Sequence, residues 1–283
     1  MEVKHMIIDD VTRASAFVAM YFVLFLMAKW FKGLLSPYKI NDELTKTDNL
    51  AVALTMSGYY LGTAAIFVGA LFGPTHGMRA DLLAVGSYSL LGLLLLNASR
   101  WFNDKFILRK FCDTHQLVKE RNVGVGALQF GAYVATGLIA AGAVSGQGGG
   151  VLSSLVFFVL GQISLLIFSL IYEMLSPYDI HEELEKKNIA SGIAFGGTLI
   201  ALSIVVMNAA SGDFQDWKTD LTMFGLANVI AFVFLPFIRV VMDRLVVRGS
   251  SLQREIKEDR NIGAGFLEAT IAISFAIILT RLI

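Results

Sequence analysis

The sequence predicts an all-α integral membrane protein with eight transmembrane helices, built as two parallel four-helix repeats about a pseudo-two-fold axis along the membrane normal. Three observations predict it. Of 283 residues, 55% are hydrophobic and only 16% charged, against about 25% charged in soluble domains. From Asn122 to Tyr172 the chain carries no Asp, Glu, Lys or Arg; as one helix this stretch would run about 76 Å, more than twice the roughly 30 Å hydrocarbon core. Motifs of the first half also return in the second at an offset of 139 or 140 residues.

Eight apolar runs follow in order: 14–35, 49–73, 81–103, 122–144, 151–175, 188–210, 220–242 and 261–283. Each is long enough to cross a bilayer once. Helices are required because lipid offers no partner to an unpaired backbone group, and the strict apolar–polar alternation of a barrel is absent. Between spans 4 and 5, Ser145-Gly146-Gln147-Gly148-Gly149-Gly150 supplies a turn, since glycine runs punctuate helices. The start Met1-Glu2-Val3-Lys4-His5, with Asp9 and Asp10, lacks the basic region of a signal peptide, so span 1 is expected to be retained. A formal net charge of zero suggests no nucleic-acid partner. Cys112 is the single cysteine, which excludes an internal disulfide and a multi-thiolate metal site.

Basic residues set the expected orientation. The connections after spans 1, 3, 5 and 7, with the span ends beside them, hold 18 of the 23 Lys and Arg residues, including Lys39, Arg109, Lys110, Arg121, Lys187, Arg248 and Arg260. Opposite lie only Lys4, Arg13, Arg79, Lys218 and Arg281. Those four connections are expected in the cytoplasm and both termini outside.

The repeat is legible residue by residue. Ser36-Pro37-Tyr38 returns as Ser176-Pro177-Tyr178, each followed by an acidic pair, Asp42-Glu43 or Glu182-Glu183. Arg121-Asn122-Val123-Gly124 returns as Arg260-Asn261-Ile262-Gly263, and Asp104-Lys105 as Asp243-Arg244. The units are expected at 1–145 and 151–283. A finer echo lies within them, because spans 2, 4, 6 and 8 all open with Asn49, Asn122, Asn188 and Asn261 followed by an aliphatic and a small residue. An even number of spans per unit inserts both copies the same way up, the parallel class of repeat.

Elementary chemistry gives these residues two readings each. Asparagine at a helix start caps free backbone N–H groups; alternatively, the positive helix ends, reinforced by Arg121 and Arg260, would attract anions. Small residues such as Gly192, Gly196, Ala127, Gly131 and Ala135 suit close helix packing in lipid, or a path lined by bare backbone. Ser-Pro-Tyr stops a helix, because proline disfavours the helical conformation of the preceding serine. The acidic residues after it are expected to pair with bases of neighbouring loops. Glu268 lies about two turns into span 8 in otherwise apolar sequence, and intramembrane carboxylates call for a functional hypothesis. It is expected either to be held by hydrogen bonds or to form a proton or cation site. Its first-half counterpart is the neutral Gln129; Asn97, Gln162 and Asn228 are further polar residues within spans. Pro236, opposite Asn97 in the repeat, is expected to kink span 7. Catalytic, metal-binding and cofactor motifs are absent, and no cofactor is expected.

The segment from Ser176-Pro177-Tyr178 through Asn188-Ile189-Ala190-Ser191-Gly192-Ile193-Ala194-Phe195-Gly196-Gly197, with Asn261-Ile262-Gly263-Ala264-Gly265, resembles the YjfL family of bacterial inner-membrane proteins, domain-of-unknown-function family 350. Members typically hold one four-span domain; this chain resembles two in tandem, and departs from the pattern at Val52-Ala53, where the second half has Ser191-Gly192. The resemblance implies a multi-pass inner-membrane location and no established reaction. Genes of the family often neighbour those for phage-shock-like stress proteins and ATP-grasp enzymes similar to glutathionylspermidine synthase, which implies a setting in envelope stress or polyamine-linked physiology.

Two functions are therefore expected. The first is a non-enzymatic scaffold that recruits cytoplasmic stress-response proteins through its loops, embedded in the lipid bilayer and paired as a homodimer through small-residue faces. The second is a small-ion or solute channel or transporter with a path between the repeats.

Overall fold

Each apolar run folds into a helix that stops where the sequence supplies a proline, a glycine or a charged turn. The computed structural model describes residues 2–73, 75–106, 114–146, 148–246 and 251–282, with side chains from residue 10 onward except at 104–106 and 242–246. Arg109, Lys110, Cys112 and Arg248, and the side chains of Lys4, His5, Asp9, Asp104, Lys105, Asp243 and Arg244, lie outside the described residues.

Four hairpins follow one another, each a long helix, a short helical turn and an Asn-capped helix. The first comprises α1 (Glu2–Leu35), α2 (Ile40–Thr45) and α3 (Leu50–Leu71). The second comprises α4 (Met78–Phe106), a π-helical turn (His115–Lys119) and α5 (Val123–Val144). The third holds α6 (Gly150–Leu175), α7 (Ile180–Glu185) and α8 (Ile189–Ala210), and the fourth α9 (Trp217–Val246), α10 (Leu252–Lys257) and α11 (Ile262–Leu279). Among the described residues the eight long helices are each long and apolar enough to cross a membrane, over Asp10–Leu35, Leu50–Leu71, Met78–Asn103, Val123–Val144, Gly150–Leu175, Ile189–Ala210, Trp217–Val241 and Ile262–Leu279. These spans lie within a few residues of the predicted ones, except at the end of α11. The α9 helix continues through Pro236, so the proline sits inside a single helix.

The Asn-capped helices form a row in the order α3, α5, α8, α11, and they pack on each other more extensively than on any other helix. Their glycines explain the closeness. Counting from the capping asparagine, the second residue of each helix meets the fourth of the next: Ala51 with Gly126, Gly124 with Gly192, and Ala190 with Gly265. The ninth residue, always glycine in α3, α5 and α8, meets the eighth of the next: Gly58 with Phe130, Gly131 with Gly196, and Gly197 with Ala269. A Cβ on Gly126 would stand 2.6 Å from the Ala51 carbonyl oxygen, and one on Gly265 would stand 2.5 Å from that of Ala190. Backbones therefore touch backbones, which favours association where lipid is as apolar as leucine. Gly131 meets the Gly196 backbone at the junction between the repeats.

The other long helices flank the row and carry large exposed apolar side chains outward: Phe22 and Trp30 on α1, Leu83 and Trp101 on α4, Leu152 and Val159 on α6, Val233 and Phe237 on α9. The turn between the repeats uses left-handed glycines, with φ of 81° at Gly146 and 93° at Gly148, a region that residues with a Cβ rarely adopt.

Candidate functional site

The four capping asparagines stand at one end of the molecule, and their amides link the hairpins in series. Each side-chain oxygen accepts from backbone N–H groups of its own helix: Ala51 and Val52 for Asn49, Val125 for Asn122, Ser191 for Asn188 and Ala264 for Asn261. Each amide nitrogen donates upstream within its own hairpin, to Glu43 (2.9 Å), Gln116 (2.9 Å), Glu183 (3.1 Å) or Glu255 (2.9 Å). The first three donate also to a backbone carbonyl of the next hairpin's short helix: Asn49 to Leu117 (2.8 Å), Asn122 to Leu184 (2.6 Å) and Asn188 to Ile256 (2.8 Å). The side chain thus closes three bonds at once, which Ser, Thr or Asp could not do because none carries an acceptor and two donors together.

The residue before each asparagine is left-handed: Asp48 (φ 49°), Arg121 (48°), Lys187 (61°) and Arg260 (50°). Arg121 and Arg260 therefore serve the chain reversal. At the helix starts they precede, the asparagine oxygen takes one backbone N–H, that of Val125 or Ala264, and the Gln116 or Glu255 side chain lies close by. The acidic residues after Ser-Pro-Tyr also pair within their own turn, Asp42 with Lys46 at 3.1 Å and Glu182 with Lys186 at 2.7 Å. Proximity in a six-residue helix wins over the neighbouring loops expected to hold them; between loops, Lys187 meets Glu120 at 2.9 Å.

Glu268 sits seven residues past its cap, about 10 Å along the axis, and is 4% exposed. Its Oε1 accepts from the Arg239 Nε–H and from the Tyr172 hydroxyl, both at 2.7 Å. The Arg239 guanidinium lies over the Tyr172 ring, 4.3 Å from its centre, and also reaches the Ser176 hydroxyl at 3.4 Å. Helices α6, α9 and α11 each contribute one member. The pair is electrically neutral as a unit, and burying it is affordable only because each charge meets the other with good geometry. Glu268 Oε2 is buried without a protein partner, beside a cavity of about 280 Å³ lined by Tyr172, Thr198, Pro236, Arg239, Gln253 and Glu268, with apolar walls from Phe168 and Leu235. Such an oxygen accepts a proton or an N–H or O–H donor, whereas an anion would face a guanidinium already neutralised. Outside the spans, burial, and then the Glu268 carboxylate, push the Tyr178 hydroxyl up to about 12.

The first repeat fills the same region differently. Lys32, on α1 at the position of Tyr172, is 2% exposed, donates to the Tyr133 hydroxyl, and lies over the rings of Tyr133 (4.4 Å) and Tyr59 (5.4 Å). Gln129, the counterpart of Glu268, is buried on α5 one turn before Tyr133. Arg100, the counterpart of Arg239, donates to the Leu35 carbonyl at 3.0 Å. Asn97 donates to the Tyr59 hydroxyl at 3.1 Å and to the Leu93 carbonyl. In the second repeat, Asn228 donates to the Phe224 carbonyl on its own helix, about 16 Å from Arg239 along α9, so it does not join Glu268. Gln162 is buried on α6 without a protein partner at either side-chain atom.

Sequence reasoning identified Glu268 but missed Arg239, Tyr172, Lys32 and Tyr133. Arg239 lies near the end of α9, where a base is expected to flank the membrane face, and only the packing of α9 on α11 brings it to Glu268. Among the described residues no group of three or more His, Cys, Asp and Glu side chains is placed to hold a metal ion.

Comparison with known proteins follows the repeat. Residues 6–144 and 148–283 each match the family described as Domain of Unknown Function (DUF350). The chain is similar to a UPF0719 transmembrane protein of Aquifex aeolicus (strain VF5), with 27% identity over 241 residues that cover 83% of this chain and 87% of the relative. No solved structure matches.

Proposed function

The chain belongs to the DUF350 family, in two tandem copies, and from that premise we propose that it is a non-enzymatic scaffold of the bacterial inner membrane. In this reading both termini lie outside, and the short helices α2, α7 and α10 present charged faces to cytoplasmic partners. The observation that carries it is the row α3–α5–α8–α11, in which backbone contacts occupy the centre where a transporter would keep its path. Lys186, Lys187 and Glu120 form an exposed charged patch at the junction of the repeats, on the Asn-capped end, suited to a partner of mixed charge. The envelope-stress setting belongs to the same proposal and rests on the family resemblance.

Photocrosslinkers placed at Glu182 and Glu185 in native membranes test it. One discrete cytoplasmic protein, lost when Lys186 and Lys187 are reversed to Glu, is the expected result; no such protein overturns the scaffold.

A second reading is favoured by Glu268 Oε2 and its cavity: a proton or small cationic solute handled within the second repeat, away from the junction. Proteoliposomes distinguish the two. Flux that disappears in Glu268→Gln replaces the scaffold with the transporter, and absence of flux in the unaltered protein removes the second reading.

A further inference from the structure

The packing rule of the row is used three times inside the chain and stops at both ends with its fittings exposed. On α11, Gly263 occupies the second position after the cap. Its counterpart Gly124 is pressed against the Asn188 backbone, whereas a Cβ built on Gly263 meets nothing but the oxygen of its own cap, Asn261. Thr270 holds the ninth position and is exposed, as is Ser274 one turn on, so small and hydroxyl-bearing residues face lipid along one stripe. Asn261 is exposed too, and among the described residues its amide donates to Glu255 but makes no counterpart of the bond from Asn49, Asn122 and Asn188 to a neighbouring short helix.

The other end mirrors this. On α3 the fourth and eighth positions, which in α5, α8 and α11 receive the preceding helix, are Ala53, half-buried, and Ser57, exposed. Leu44 of α2 stands where Leu117, Leu184 and Ile256 offer their carbonyls, and an open groove of about 850 Å³ between α1, α2 and α3, lined by Trp30, Tyr38, Leu44, Met56 and Tyr60, adjoins this face. The membrane-crossing windows of α5 and α8 are each 78% buried, against 56% for α3 and 33% for α11. The end helices are therefore members of the row that each lack one neighbour.

We propose that copies of this chain associate head to tail, α11 of one against α3 of the next, continuing the row through a fourth junction. Gly263 and Thr270 of one copy meet Ala53 and Ser57 of its neighbour, and the Asn261 amide donates to the neighbour's Leu44 carbonyl. Continuity with the three internal junctions identifies the occupant as a second copy, because each end already carries the complementary half. Ala53 stands where the internal junctions have glycine, and Thr270 where they have glycine, so the new junction is wider. It gains instead a hydroxyl pair at Ser57 and Thr270, and interhelical hydrogen bonds of that kind hold helices together in lipid. The interface is heterologous, so the assembly is a closed ring or an open row rather than a two-fold dimer. The inference concerns how the chain assembles and stands apart from what the assembly recruits.

The test uses the full chain in native membranes with Cys112 replaced by Ser. Ala53→Cys together with Gly263→Cys, joined by a short bis-maleimide, is expected to give a ladder of dimer, trimer and higher species. Either single variant alone is expected to give no dimer, and the two singles mixed are expected to give dimer only. A Val233→Cys control on the outer face of α9 is expected to give none. Crosslinks of 53 to 53 or 263 to 263, no ladder from a folded double variant, or crosslinking to a different protein each overturn the proposal. As a measurement independent of cysteine, native mass in nanodiscs is expected to show oligomers, weakened about tenfold by Ser57→Leu with Thr270→Leu; a monomer of the unaltered chain overturns it.

Discussion

The two repeats share helix order, caps and glycine contacts, yet they bury charge by opposite means. The second places Arg239 against Glu268, acid on base, and leaves one carboxylate oxygen facing a cavity. The first has Gln129 in place of the acid, carries a buried cation at Lys32 on α1, and sets it on the faces and hydroxyl of tyrosines, with Tyr133 supplying bulk where the second repeat has Ala272. A duplicated scaffold thus requires that a cation at this depth be satisfied, and leaves open how. In the second repeat the carboxylate lines a cavity of about 280 Å³, and the first repeat has a neutral glutamine at that position.

The largest effect should come from breaking the acid–base pair. Glu268→Leu takes the carboxylate from the largely buried Arg239, and is expected to cost about 3–5 kcal/mol, read by unfolding in detergent. Gln129→Leu, the matching change in the first repeat, is expected to cost no more than about 3 kcal/mol, the penalty of lost neutral hydrogen bonding. Equal losses in the two variants would erase the distinction between the halves. Replacing both members of the pair, Glu268→Leu with Arg239→Met, should recover most of the stability, since a well-packed apolar substitute often matches a buried ion pair.

The capping asparagines give a second contrast. Asn122→Ala removes a cap and takes one of two donors from the Leu184 carbonyl, which keeps the Lys187 N–H, for about 2 kcal/mol. Asn261→Ala, on the exposed end of the row, should cost about 1 kcal/mol, the cap alone. A larger loss for Asn261 in a monomeric preparation would contradict the serial linkage of the hairpins.

Alkaline pH should produce a smaller effect, part of it carried by Tyr178 of the second repeat. The Tyr178 hydroxyl is held protonated up to about 12 in the folded protein, while an unfolded tyrosine ionises near 10. The folded state binds the proton more tightly, so its contribution is intact below pH 10 and is lost as pH rises from 10 to 12. Tyr178→Phe should flatten the stability profile in that window, whereas Tyr38→Phe, its first-repeat counterpart, should leave it as steep. The smallest effect falls to Arg100→Ala, expected below about 1 kcal/mol because its bond to the Leu35 carbonyl is solvent-exposed.

The membrane spans were legible because bilayer thickness imposes a length that composition reveals directly; the ends of α5 and α8 fall within one residue of those read from the chain. The repeat was legible because proline, asparagine and glycine resist substitution where backbone geometry depends on them. The short helices escaped notice, since six residues of mixed charge give no periodic signal. The second role of the asparagines was hidden because a cap is local, while the bond from Asn122 to Leu184 crosses from one repeat to the other. Arg239 illustrates the general difficulty: a base near a helix end looks solvated in one dimension, and only the facing of α9 on α11 turns it inward.

Among the described residues each hairpin's capped helix packs most extensively on the capped helices beside it in the row, through the same pair of contacts. An architecture of that kind lengthens by simple copying, because a newly duplicated hairpin brings both halves of its joint with it. Tandem fusion then needed no new interface to be invented, only a linker flexible enough for the glycine-rich reversal at 145–150, and further relatives with one, two or more units can be built from a single template.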